Sequence, residues 1–389
     1  MQRERIIDND IVKLIKQIFW GTHIDSISDT VFEEAKEHSL LALPAALLPE
    51  LPISLGIKEE WKRYILQQMA YYVQYKYCEA RLPISVPYTI LKGTSAAQYY
   101  PHPEYRSMGD IDIMTRREDF DQAYQDLLTG GYCVISSAER EVGLTKNGVM
   151  VELHRFFSSL SDVDAARYLD DLIIENINPS HVLEDPINGL VLLEHISQHL
   201  ENGIGLRQII DWMLFVNQCL PDEKWQEFYN MAKRIRLDKL AIVVTRMCEI
   251  YLGLPHRKWS ENANEALCEQ LMDYILSCGN FGNKRTEEGA IIEKIFIHAK
   301  NPISAFRLLQ ERGIVNWKAA RKHLWLRPFA WIFQLGRYIV RGSKQEEATA
   351  TIVRGYRESR RMIALFEELG VRQYSKGIAI YRNGEYVKD

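Results

Sequence analysis

Apolar residues recur at helical spacing from the first turns of the chain. In "DNDIVKLIKQIFW" an Asp/Asn pair precedes a stripe of Ile, Val, Leu and Phe, the pattern of a capped amphipathic helix. The same period runs through "KEEWKRYILQQMAYYVQYKYCEARL", and Pro44, Pro49 and Pro52 interrupt it in between. Residues 1–82 are therefore expected to form an N-terminal helical region.

The pattern shortens after Pro83. "VPYTIL" is a β-branched and aromatic run that ends at Lys92-Gly93, a strand feeding a turn. "TSAAQYY" suits a short helix capped by Thr94 or Ser95. "GDIDIMT" predicts a second strand. "REDFDQAYQDLLTGGY" predicts an amphipathic helix with acids in its first turn and a Gly-Gly stop. "CVIS" and "EVGLT" predict further strands, and the Asn-Gly pair in "KNGV" predicts a type I′ hairpin whose second arm is "VMVELHRFF". Residues 83–162 thus read as a small α/β core. Helical periodicity returns over 163–370, and 371–389 form a tail whose "GIAIYRNGEYV" carries another Asn-Gly hairpin signal. The expected class is α+β: a small mixed β-sheet core flanked by N-terminal and larger C-terminal helical regions.

At 389 residues the chain exceeds one comfortable core, which stops growing at ~250–300 residues, so two or three packed units are expected. Apolar content of 47% with 26% charged residues fits a folded globular protein. A net charge of −4 gives no global electrostatic case for nucleic acid. Six cysteines without a CxxC pair suggest thiols in a reducing compartment. The N-terminus has no apolar signal core, and no window reaches the ~20 apolar residues of a spanning helix. A cytoplasmic location is the expectation.

Two carboxylates in one strand pose the chemical question. Asp110 and Asp112 share a face of "GDIDIMT", with Ile111 and Ile113 on the other. Side by side they repel, and a divalent cation between them removes the penalty. Mg²⁺ suits such oxygen ligands and is commonly completed by substrate phosphates. Gly93 allows close backbone approach to a ligand. Thr94 offers a hydroxyl where helical N–H groups favour anions, and Arg106 could neutralise phosphate with its planar fork. In "VMVELH" the same alternation puts Met150, Glu152 and His154 on one face, so Glu152 is the candidate third carboxylate and His154 its orienting partner or a substrate contact.

The order strand, Gly-Thr, helix, Arg-x-x-Gly-Asp-x-Asp, helix, hairpin, Glu resembles the DNA polymerase β-like nucleotidyltransferase superfamily. There a Gly-Ser or Gly-Gly turn precedes an Asp-x-Asp strand and a third acid on a later strand. "LKGTSAAQYYPHPEYRSMGDIDIMT" is similar, more closely, to a large, mostly uncharacterised bacterial nucleotidyltransferase family with a Lys-Gly…Arg-x-x-Gly-Asp-x-Asp signature. Its acid-x-His motif matches Glu152 and His154. A later His-x-x-x-His helix, followed by an Arg and an Asp, matches His195, His199, Arg207 and Asp211. The likeness runs to about residue 215. Thr94 departs from the commoner small residue, and the interval to Asp110 is longer than usual.

The resemblance implies that Asp110, Asp112 and Glu152 hold Mg²⁺, with Mn²⁺ as a substitute, and that Glu152 serves as ligand or base. It implies nucleotide contacts at Lys92, Gly93, Thr94 and Arg106, and substrate contacts at His154, His195, His199, Arg207 and Asp211. The expected reaction moves an NMP, AMP first among them, from an NTP to a hydroxyl acceptor with release of pyrophosphate. The acceptor is open among small molecules, proteins and RNA. A phosphotransferase on the same site, or a catalytically idle nucleotide-binding protein, are the alternatives.

Two features stand outside that scheme. His195 and His199 lie i, i+4, a spacing that also suits zinc, though without the Glu of a metalloprotease helix. Arg207 and Asp211 have the spacing to pair on one helix. The segment 316–344, "NWKAARKHLWLRPFAWIFQLGRYIVRGSK", mixes tryptophans with Lys and Arg. It reads either as a surface patch for nucleic acid or membrane, or as helices packing their aromatics inward beneath a solvated basic face.

Overall fold

The computed structural model describes residues 2–200, 202–282, 284, 306, 309–310, 313–314, 316–342, 348–371, 380–382 and 385–387. The architecture is α+β. The chain divides into two compact units, residues 1–284 with 369–389, and residues 285–368.

The first unit opens with helices α1 (Gln2–Ile7), α2 (Asp10–Trp20), α3 (Val31–Glu37) and α4 (Leu55–Glu79). Asn9 caps α2 by accepting from the Ile11 N–H at 3.0 Å, and this satisfies one of the orphan donors that every helix start leaves. The proline-bearing stretch between α3 and α4 forms turns rather than helix.

The sheet follows in the order β1 (Tyr88–Ile90), β2 (Ile111–Thr115), β5 (Val149–His154), β4 (Glu141–Lys146), β3 (Cys133–Ser137). It is mixed: β2 and β5 run parallel, and the other pairs are antiparallel. Parallel pairing needs a long crossover. Here α5 (Thr94–Ala97) precedes β2, and α6 (Phe120–Thr129) with the β3–β4 pair lies between β2 and β5. The β4–β5 turn uses Asn147 at φ 52° and Gly148 at φ 77°, both left-handed as a type I′ turn requires.

One sheet face forms a core in which Ile111, Ile113, Val151 and Leu153 are fully buried against Tyr75 of α4 and Phe120, Ala123 and Leu127 of α6. Each such aliphatic side chain contributes about 1.5–3 kcal/mol on removal from water. The strand β3 is exposed along its whole length at the sheet edge. Helices α7 (Val163–Glu175), α8 (Ile187–His199), α9 (Leu206–Cys219), α10 (Trp225–Arg234), α11 (Asp238–Met247) and α12 (Glu265–Cys278) complete the unit. Their own core centres on Trp212, Phe215 and Phe228. Strands Ile380–Arg382 and Glu385–Val387 pair antiparallel near the end of the chain, while the Asn-Gly between them lies outside the described residues.

In the second unit the described helices are Lys318–Lys322, Ala330–Gly342 and Ala348–Leu369, the last ending one residue past the unit's boundary. The aromatics of the basic segment are divided. Trp317 stacks on Phe333 with centroids 5.1 Å apart, whereas Leu324, Trp325 and Phe329 lie on the surface. Residues 343–344 of that segment are outside the described residues.

Buried His38 gives the first unit a defined response to acid. Its Nδ1 accepts from the Leu206 N–H at 3.3 Å, and its Nε2 has no hydrogen-bond partner among the described residues. Burial, aided by the charge of Lys284, pushes its pKa down to about 3. The unfolded chain therefore binds a proton that the folded chain refuses. The stabilising contribution is complete above the ordinary value of ~6.5 and is lost as pH falls toward the folded value. Between pH 7.5 and pH 4.5, urea denaturation should show wild type losing about 2–3 kcal/mol more than His38→Gln. Equal losses would contradict this placement of His38.

Candidate active site

Strand alternation assembles the centre. Asp112 lies in β2 and Glu152 is its register partner on β5, with His154 two residues further along the same face. Their apolar neighbours point into the core described above, which drives all three polar side chains to the opposite face. Asp112, Glu152 and His154 each offer a ligand atom, and these atoms lie within 4.8 Å of one another. Asp110 precedes β2 and lines the same cavity, whose volume is about 350 Å³.

Asp112 is 2% exposed, and burial by itself disfavours its charge. The Lys92 ammonium, 2.6 Å from Oδ1, and His154 Nε2, 2.9 Å from the same oxygen, more than compensate and hold the carboxyl well below its ordinary range. Lys92 in turn is buried, and the fields of Asp112 and Asp110 outweigh that burial and raise its pKa. His154 is pushed up to about 9: burial opposes the charge, but Asp112 and Glu141 favour it. Glu141 Oε2 stands 3.2 Å from His154 Nδ1. Glu152 is pushed up to about 8, first by burial and then by repulsion from Asp110 and Asp112. The cluster thus holds more negative charge than Lys92 and His154 neutralise at Glu152, which is the condition a divalent cation relieves.

Helix α8 supplies another wall through His195, Gln198 and His199. The two histidine rings meet edge-on with centroids 4.6 Å apart. Burial and the nearby cations push His199 down to about 4 and His195 well below its ordinary value, so both are neutral at neutral pH. They join no three-residue ligand group among the described residues.

The residues singled out from sequence mostly converge here: Lys92, Gly93, Arg106 and Arg207 line the cavity with the acids and histidines, while Thr94 and Asp211 do not. Several partners differ from the sequence-based expectation. Arg106 gives its fork to Asp211, Nε to Oδ1 at 2.8 Å and Nη2 to Oδ2 at 2.7 Å, and Tyr100 donates to the same Oδ1 at 2.8 Å. Asp211 therefore does not pair with Arg207 along α9. Arg207 reaches the Ser107 carbonyl at 3.0 Å through Nη1, and its buried Nε has no partner among the described residues. An acid placed after the base at i+4 is the weaker helical orientation. The Thr94 hydroxyl donates to buried Glu79 rather than facing the cavity. Gly93, at φ +57°, also has a steric reason: a Cβ there would lie 2.3 Å from the Tyr75 hydroxyl oxygen, which donates to the Asp110 carbonyl at 3.0 Å.

The sequence reading missed Arg140, Glu141 and Gln198 on the cavity wall. Glu141 was recoverable, since counting back from the Asn-Gly turn pairs Glu141 with His154, as the register has it. Arg140 and Gln198 carry no local signal.

The profile of a family described as uncharacterised nucleotidyltransferase matches residues 23–253, more than half of the chain. No curated protein and no solved structure matches.

Proposed function

Because the chain belongs to the uncharacterised nucleotidyltransferase family, we propose that it transfers an NMP, AMP first among them, from a Mg²⁺-bound NTP to a hydroxyl acceptor. The observation that carries this reading is the convergence of Asp110, Asp112 and Glu152 on one cavity with Glu152 raised to about 8. The donor set fits a divalent cation: both cationic contacts of Asp112 fall on Oδ1, which leaves Oδ2 as a ligand beside Asp110 and Glu152. Bound Mg²⁺ would supply charge compensation to the attacking and leaving oxygens of an in-line displacement; Mn²⁺ has the same ligand preferences.

The remaining roles follow from charge and position. Lys92 and Arg207 receive the triphosphate: both line the cavity, and the Arg207 Nε has no partner among the described residues. Arg106 acts through Asp211, bracing the segment before β2 against α9 and holding Arg207 in reach of phosphate. Neutral His195 and His199 offer hydrogen bonds without adding charge. Glu152, brought to its carboxylate form by the charge a bound cation would supply, accepts the acceptor's hydroxyl proton. That oxygen then bonds the α-phosphorus, and the bond from α-phosphorus to the bridging oxygen breaks, so pyrophosphate leaves with the electron pair. His154, charged and bonded to Asp112, fixes the carboxylate's orientation. We assign catalysis to residues 83–162, with 1–82 and 163–370 as helical surroundings and 371–389 as a tail. No helix among the described residues is long and apolar enough to cross a membrane.

Without an acceptor, water takes its place. Incubation of the full chain with Mg²⁺ and ATP labelled at α or γ should give slow release of labelled AMP and pyrophosphate. Labelled orthophosphate with ADP would instead indicate phosphoryl transfer, and tight binding without turnover an idle site. Calorimetry should register ATP only when Mg²⁺ is present; ATP binding that ignores Mg²⁺ would sink the metal-site reading.

A further inference from the structure

The cavity has a second cationic end that the transfer step leaves unused. Arg140 stands at the entry to β4, beyond β5 in the order β2–β5–β4 and so on the far side of Glu152 from Asp112. Its Nε donates to the Phe156 carbonyl at 3.2 Å, and its Nη2 to that of Phe157. These bonds pin the guanidinium against the chain leaving β5. Among the described residues Arg140 forms no ion pair, so a fixed charge and the rest of its five donors remain for a ligand.

Helix α8 sorts the two ends. His195 and His199 lie in the field of Lys92 and Arg207. Gln198 donates to the same Phe157 carbonyl as Arg140, at 3.2 Å, and Glu194, one turn earlier, lies in the field of Arg140. Glu194 is itself occupied, accepting from the Ser159 N–H at 2.8 Å and the Ser159 hydroxyl at 3.0 Å. It does not neutralise Arg140 by contact.

We propose that the β4 end of the cavity is the acceptor subsite, and that the acceptor is a small hydroxyl compound carrying a carboxylate or phosphate that Arg140 receives. This rests on the reading of Glu152 as the base. With the triphosphate held at Lys92 and Arg207, a hydroxyl reaching Glu152 must approach from over β5 and β4. Neighbouring strands lie about 4.8 Å apart, which places the acceptor's anion roughly 5–10 Å from its reacting oxygen, the span of a glycerol or pentose phosphate. Glu141, between Arg140 and His154, accepts from further hydroxyls. A neutral polyol of the same size would leave Arg140 desolvated and unpaired, which makes the charge a selectivity device.

The test uses the full chain saturated with Mg²⁺ and α,β-methylene ATP, with saturation-transfer NMR to matched probes: glycerol 3-phosphate, ribose 5-phosphate and glycerate against glycerol and ribose. Anionic probes should show transfer at concentrations about tenfold below their neutral counterparts. The glycerate and phosphate arms tell which anion is preferred. Arg140→Gln should weaken the anionic probes about tenfold or more and leave ATP·Mg²⁺ affinity within about twofold. Arg140→Lys, which keeps charge but loses the fork, should restore part of the binding; a thermal melt confirms both variants fold. Equal binding of neutral and anionic probes, no binding of any probe, or undiminished anion binding in Arg140→Gln would overturn the subsite. Loss of ATP binding in Arg140→Gln would reassign Arg140 to the triphosphate. If ATP·Mg²⁺ itself fails to bind wild type, the reading of the metal site has failed instead.

Discussion

Asp112→Asn should reduce AMP release or transfer by at least about 10³-fold and abolish Mg²⁺-dependent ATP binding, the largest loss expected of any single change at the site. The substitution keeps shape and hydrogen-bonding capacity, so packing changes little. What it removes is the charge between Lys92 and His154, which lie 2.6 and 2.9 Å from Oδ1. His154, held at about 9 by its hydrogen bond to Asp112 and the Glu141 carboxylate beside it, should titrate lower in the variant. This second readout matters because loss of activity could also follow from unfolding. A drop in the His154 pKa in a folded variant, followed by imidazole proton NMR, together with lost ATP binding, ties the defect to charge at this carboxylate. A folded Asp112→Asn protein retaining activity within tenfold would refute the assignment.

The second large effect concerns stability. Asp211→Asn should destabilise the first unit by about 3–5 kcal/mol, because it leaves Arg106 buried without its counter-charge. The two side chains are 3% and 1% exposed, so solvent cannot compensate. Tyr100 loses a charged acceptor in the same change. Replacing both members, Arg106→Met with Asp211→Leu, should recover much of the loss, since an apolar pair of similar volume needs no counter-charge. Urea denaturation of the two variants against wild type checks both statements. A single-variant cost below about 1 kcal/mol would show that water reaches the pair. The double variant should still bind ATP less tightly, because Arg207 donates to the carbonyl of Ser107, next to Arg106.

The strands and their facing were legible because they depend on local rules. Alternation placed Asp112 and Glu152 on faces opposite Ile113 and Leu153, and the Asn-Gly turn set the β4–β5 register, down to Glu141 opposite His154. The partnership of Arg106 with Asp211 was not legible. The two are 105 positions apart, and a nearer candidate, Arg207, lay one helical turn from Asp211. Thr94 had the chemistry for an anion at a helix start, yet Glu79 at the end of α4 claims its hydroxyl. Gly93 was read for ligand approach, while Tyr75 supplies a steric reason of its own.

By itself the sequence determined that Asp112 faces away from Ile111 and Ile113, and Glu152 and His154 away from Val151 and Leu153, because side-chain direction along a strand follows from a period of two residues. Only the tertiary structure decided how those charges are balanced. Lys92 and His154 converge on one oxygen of Asp112, Glu152 is left raised toward neutrality, and Arg140, tied to the Phe156 and Phe157 carbonyls, stands beyond it. Coulomb energy in a low-dielectric interior depends on separations of a few ångströms between elements far apart in the chain, and no local pattern encodes those separations.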